Sequence, residues 1–200
     1  WDEAEGKLYL EVSRFGEEIL HSNGIAAGLG SNDIGIDRGA LAGSRIVMFE
    51  RVGPKVMLVA PHYKFRATSD NAAERQAVKD AFARSILWGF TVAAETSGRV
   101  LVDATPFLLR DNLNLAPRLR PGTYRLDESR SSVHMPGTYN FPKNTELEVE
   151  LTYAQQQQAG APQGGAAPGP GQNFGGGTFF EGVRDVAASA EAASLRIHHS

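Results

Sequence analysis

The chain contains no cysteine. That absence removes disulfides, thiolate zinc sites and cysteine nucleophiles together. It leaves the compartment open, because a large core can do without disulfides outside the cell. No apolar run approaches the roughly 20 residues of a membrane helix. Positive charge is in slight deficit, with 20 Lys+Arg against 23 Asp+Glu and a formal net charge of -3. No basic stripe with interleaved aromatics appears, so nucleic acid is not an expected partner.

Catalytic signatures are missing as well. The five histidines are His21, His62, His134, His198 and His199, and none has the HExxH spacing that places two ligands one helical turn apart. His198 and His199 are neighbours in a predicted strand, so they point to opposite faces and cannot grip one ion together. No serine sits in a G-x-S-x-G elbow. Gly28, Gly30 and Gly35 do not complete G-x-G-x-x-G, and no Gly-Lys-Ser/Thr follows them. The segment after them reads as strand, so no helix N-terminus is offered to an anion. Asp33 and Asp37 lack the alternating acids of an EF-hand, and a glycine-rich loop holds a glycosidase pair poorly. No catalytic residue, no metal and no cofactor is therefore expected within these residues.

What is present reads as one α+β domain over 1–200. A chain of 200 residues buries roughly 70% of its unfolded surface. Strands are expected over Lys7–Val12, Ile19–Ala27, Ser44–Glu50, Lys55–Ala60, Gly89–Glu95 and Arg99–Asp103, with Lys64–Thr68 extending the pattern. The turns Val52-Gly53-Pro54 and Thr96-Ser97-Gly98 predict hairpins. The apolar density of 44–60 predicts a sheet covered on both faces there. Further strand candidates are Tyr124–Leu126, Ser132–Met135, Thr145–Tyr153, Thr178–Val186 and Ser194–His199. A short helical turn is expected after Pro106. In Thr145–Tyr153 the alternation sends Leu147, Val149, Leu151 and Tyr153 inward and Glu146, Glu148 and Glu150 to water.

One main amphipathic helix is expected over about 72–87, packed on the mostly antiparallel sheet. Asn71 and Glu74 have the capping-box spacing, and Val78, Ala81, Phe82 and Ile86 make one apolar stripe. Residues 154–177 are rich in Gln, Gly, Pro and Ala. They cannot offset their ordering entropy, so a disordered loop inside the domain is expected.

The stretch GLGSNDIGIDRG, Gly28 to Gly39, is chiefly turn chemistry, with Asn32 and Asp33 bonding nearby amides. It is long for a simple turn, and loops on rigid scaffolds carry contacts. Asn32, Asp33, Asp37 and Arg38 are therefore the candidate inter-domain contact.

Several stretches carry a resemblance: GLGSNDIGIDRG, VMFERVGPKVMLV, SILWGFTVAAE, RVLVDATPFLLRD, YRLDESRSSVHMPGTYNFPKNTELEVELTY and RIHHS. Together and in this order they resemble the N-terminal domain of large bacterial zinc-dependent metalloproteases. In that family a domain of unassigned function precedes a metzincin-like catalytic domain with HExxHxxGxxH. The resemblance implies an exported protein, periplasmic or at the cell surface. It also implies a catalytic zinc domain downstream as this chain's partner. No position here matches those zinc ligands, so none is carried over. The opening at Trp1 and the stop at Ser200, inside a predicted strand, fit a piece of a longer protein. The rival expectation is a self-standing β-rich module that binds glycan or peptide through Trp88, Phe90, Tyr124 and Tyr139.

Overall fold

A computed structural model describes residues 1–28, 39, 41–120, 122–156, 187 and 191–200. Among them, ten strands form one antiparallel sheet: β1 (Tyr9–Val12), β2 (Ile19–Ala27), β3 (Leu41–Val52), β4 (Lys55–Ala60), β5 (Ser85–Thr96), β6 (Arg99–Asp103), β7 (Tyr124–Val133), β8 (Tyr139–Phe141), β9 (Asn144–Gln155) and β10 (Ala192–His199). The spatial order is β1-β6-β5-β4-β3-β2-β10-β9-β7, and β8 adds to β9. The sheet curls into a half-barrel, and its helical part is small. The mixed class expected from the sequence holds in this coarse form, with β structure dominant.

The two hairpin turns form as their residues dictate. At the tip of β5–β6, Ser97 (φ 49°) and Gly98 (φ 77°) both take positive φ. That is the mirror-image turn whose twist suits paired strands. The inner face collects Val47, Val56, Leu58, Phe90, Val100, Val102, Val149, Leu151, Tyr153, Leu195 and Ile197 into one core. The segment after β6 closes this trough. It begins with helix α2 (Thr105–Leu108) and runs to Leu119, burying Ala104, Phe107, Leu108, Leu115 and Leu119. The helical turn expected after Pro106 is α2.

The main helix differs from its expectation. Helix α1 spans only Ala72–Ala81, and none of its residues is buried. Asn71 caps it, its side chain accepting from the Ala73 amide at 2.9 Å. At Phe82 the backbone turns extended (φ -124°, ψ 115°). Ser85, Ile86 and Leu87 belong instead to β5, where Ala60 pairs with Ser85 and Val59 with Ile86. The apolar stripe thus splits, with Ile86 on the sheet and the Phe82 ring stacked on Phe65 at 3.9 Å between centroids. Residues 64–68 form no strand.

Two shorter differences have local causes. The strand candidates on either side of Glu128–Ser131 are one strand, β7, with a register break between Asp127 and Ser132. The Asp127 carboxylate accepts from the Ser129 amide at 3.0 Å and the Arg130 Nε at 2.8 Å, which arches the chain out of the ladder. Ala154 and Gln155, expected in the Gln/Gly/Pro-rich loop, end β9. The rest of that loop from residue 157, and the strand expected over 178–186, lie outside the described residues.

Candidate functional site

Asn32, Asp33, Asp37 and Arg38 lie outside the described residues, so no geometry attaches to that contact. The described chemistry gathers instead where β9 and β10 run beside β2. Strand alternation sends His198 and His199 to opposite faces, as their adjacency requires, and each face carries its own cluster.

On the outer face, His198 Nε2 meets a Glu146 carboxylate oxygen, and its Nδ1 lies 3.6 Å from Glu148 Oε2. Arg196 Nη1 donates to Glu148 Oε1 at 3.3 Å and to His134 Nε2 at 3.0 Å. Glu148 is only 8% exposed, which corrects the expectation that all three glutamates face water. Residues 134–138 cross over β9 and cover it. The Thr138 hydroxyl accepts the Glu148 amide at 3.2 Å, and a Cβ on Gly137 would fall 2.6 Å from the Glu148 carboxyl carbon. A buried carboxylate needs a partner, and here it has Arg196 and His198 beside it. The guanidinium stands where a cation would bridge His134 and Glu148. Among the described residues no group of three or more His, Asp or Glu side chains is placed to hold a metal.

On the inner face, His199 is 2% exposed and His21 half-buried. Their rings stack with centroids 5.5 Å apart, and His21 Nε2 lies 3.3 Å from His199 Nδ1. Phe107 flanks both, at 6.2 Å from His21 and 5.9 Å from His199. The Arg110 guanidinium carbon sits 4.8 Å from both the Phe107 and Trp88 rings, a cation–π sandwich. Arg110 Nη1 donates to the Leu87 carbonyl at 3.3 Å. His21 Nδ1, His199 Nε2 and Arg110 Nε are buried with no hydrogen-bond partner among the described residues. Burial, with Arg45 and Arg110 near, lowers the His21 pKa. Burial, aided by His21, His198 and Arg110, pushes His199 down to about 3. Both shifts favour the neutral imidazole.

The outer face also carries an apolar strip across four strands. Leu20 pairs with Ile46, and one step along the ladder Met48 pairs with Val59 and Val59 with Ile86. Leu20 is 67% exposed and Ile86 56%. The cover expected on both faces of 44–60 is thus only partial on the outer side, where Val59 is buried but Ile46 is exposed, as are its neighbours Leu20 and Ile86 on β2 and β5. The aromatics proposed for glycan or peptide do not share one exposed face. Phe90 and Tyr124 are buried in the core, while Tyr139 is exposed and stacks on exposed Phe141 at 6.1 Å.

Sequence reasoning separated the two histidines but not their partners. His21 and His199 are 178 residues apart, and nothing local announces the pairing.

A family described as "Domain of unknown function (DUF5117)" matches residues 39–177, more than half of the chain. No curated protein and no solved structure matches it.

Proposed function

We propose, from the premise that this chain belongs to the DUF5117 family of domains of unknown function, that it is a non-catalytic domain of an exported zinc-dependent metalloprotease. In this reading it supports or gates a catalytic domain elsewhere in the protein. The reading rests first on the resemblance of six ordered stretches to the N-terminal domain of such proteases. The observation in the fold that carries it is the exposed strip of Leu20, Ile46 and Ile86. Exposed apolar side chains grouped on one sheet face mark an interaction surface. Asn32, Asp33, Asp37 and Arg38 remain the polar contact proposed from the sequence.

The test uses the full-length protein. Leu20→Asp with Ile46→Asp should lower peptidase activity severalfold while this domain's melting temperature changes little, since both side chains are already wet. Asp33→Asn, Asp37→Asn and Arg38→Ala should lower activity in the same way. Unchanged activity in both sets removes the docking role. A full-length protein without zinc or peptidase activity removes the whole reading.

The exposed Tyr139–Phe141 stack favours a second reading, a glycan- or peptide-binding module. Binding of soluble glycan by the unaltered chain, lost in Tyr139→Ala, would support it over the first.

A further inference from the structure

The stacked rings of His21 and His199 sit against one short segment of chain. Phe107 of helix α2 flanks both, and Arg110 rests its guanidinium on the same Phe107 ring. The segment is tied at its two ends. At the first, the Ala104 amide donates to the Leu8 carbonyl at 2.9 Å, and the Leu8 amide donates to Thr105 Oγ1 at 2.8 Å. At the second, the Asp111 carboxylate accepts from the Leu115 and Ala116 amides and from the Tyr153 hydroxyl. Between these ties α2 is a single turn with no side-chain N-cap. The packing of Phe107 and Leu108 and the bond from Arg110 to the Leu87 carbonyl hold it down.

A buried pair of this kind takes up a proton badly. The bond between His21 Nε2 and His199 Nδ1 uses one nitrogen of each ring. One added proton turns both outward nitrogens, His21 Nδ1 and His199 Nε2, into N–H donors. Neither has an acceptor among the described residues. The proton also sets a full charge where burial strips its water away. The groups around the pair make this worse. Arg45 lies across from His21 on β3, and Arg110 comes from the segment after α2. His198 adjoins His199 on β10 with its ring on the other face, while Asn23 of β2 and Leu147 of β9 flank His199 without charge. The charged and titratable groups acting on the two rings are those arginines and histidines, with no carboxylate among them.

We propose that His21, His199 and Arg110 form an acid-sensitive latch: a proton on the stacked pair releases Phe107 and Arg110, and residues 105–110 lift while the sheet and the ties at Leu8 and Asp111 stay in place. Lifting lets water reach the imidazoles and takes Arg110 away from them. The opened form therefore binds the proton that the closed form disfavours, and linkage moves the equilibrium toward opening as pH falls. Above the ordinary His range the closed form prevails. Opening uncovers an aromatic wall, since Phe107 packs on Trp88 at 6.0 Å and on Phe90 at 5.6 Å between ring centroids. The latch goes beyond the docking reading and stands or falls without it.

The experiment is amide hydrogen exchange of the unaltered chain at pH 7 and pH 5, expressed as protection relative to the unfolded rate at each pH. The reporting amides are those of Leu108, bonded to the Ala104 carbonyl, and Leu109, bonded to the Thr105 carbonyl. A wetted imidazole regains its ordinary pKa of about 6.5, so their protection should fall about 25-fold between the two pH values. A little urea should leave that protection unchanged, because a local opening exposes little surface. In His21→Leu/His199→Leu the fall with pH should vanish. Leu108 and Leu109 amides with the same protection and urea dependence as the amides of β9 would overturn the proposal, since only global unfolding would then expose them. So would protection that does not change with pH, or a fall that persists in the folded double variant. Exchange in the unaltered chain decides even where the variant fails to fold.

Discussion

Tyr153 and His199 lie on neighbouring strands, face the same core and are almost equally buried, yet their polar ends fare differently. The Tyr153 hydroxyl donates to Asp111 Oδ1 at 3.0 Å. The same carboxylate accepts the Leu115 amide at 2.8 Å through Oδ1 and the Ala116 amide at 2.9 Å through Oδ2. Every polar atom there has a partner, and burial together with Asp111 raises the Tyr153 pKa. The His199 end keeps three polar atoms without one among the described residues. A closed network pins the segment that fills the trough. An open one costs about 1–3 kcal/mol per orphaned group. A fold that keeps such a cost beside a closed network has a use for it, because conflicts of this kind concentrate at functional sites.

The comparison is broken most severely at its closed end. Asp111→Ala strips three donors of their acceptor, two of them amides that start the turn at Leu115. A loss of about 4 kcal/mol is expected in urea unfolding, with the slope unchanged. A loss below about 1 kcal/mol would show that water replaces the carboxylate freely.

The open end is next, through pH. The folded pKa of His199 is about 3 against about 6.5 unfolded, and His21 is lowered too. A lowered pKa means that the unfolded chain binds the proton first. Stability is then full above about pH 6.5 and falls as pH drops toward 3. His199 alone should remove about 2 kcal/mol between pH 7 and pH 5. His199→Asn should flatten that slope, and an unflattened slope assigns it to other groups.

The outer cluster supplies a smaller, third case. It is closed around Glu148, and Gly137 sits against that carboxylate with no room for a methyl group. Gly137→Ala must push Glu148 away from Arg196 and His198. A cost of about 1–2 kcal/mol is expected by thermal melting. A variant as stable as the unaltered chain would mean that the ion pairs there re-form easily.

Local features of this fold were legible in the sequence. β2 and β6 and both hairpin turns follow from alternation and from turn residues such as Ser97-Gly98. The helix boundary was not, because Ile86 satisfies a helical stripe and a strand alike. Pairing with Val59, 27 residues away by difference of number, decides between them. Alternation gave the face of Glu148 correctly but not its burial, since the covering turn at 134–138 belongs to another part of the chain. The site around His199 was illegible for the same reason. Its members come from β2, β10 and the segment after α2, and each alone reads as an ordinary His or Arg. Asn32, Asp33, Asp37 and Arg38 gained no structural setting.

The central claim is that the open His21–His199 pair does not hold the fold together. Unfolding of the double variant His21→Leu/His199→Leu at pH 7 tests it most directly. Replacing both partners of a buried polar pair by apolar side chains is nearly neutral or stabilising when the pair carries unmet hydrogen bonds. The account predicts stability equal to or above that of the unaltered chain. A loss of more than about 2 kcal/mol would show that the imidazoles hold the fold together, and would contradict it.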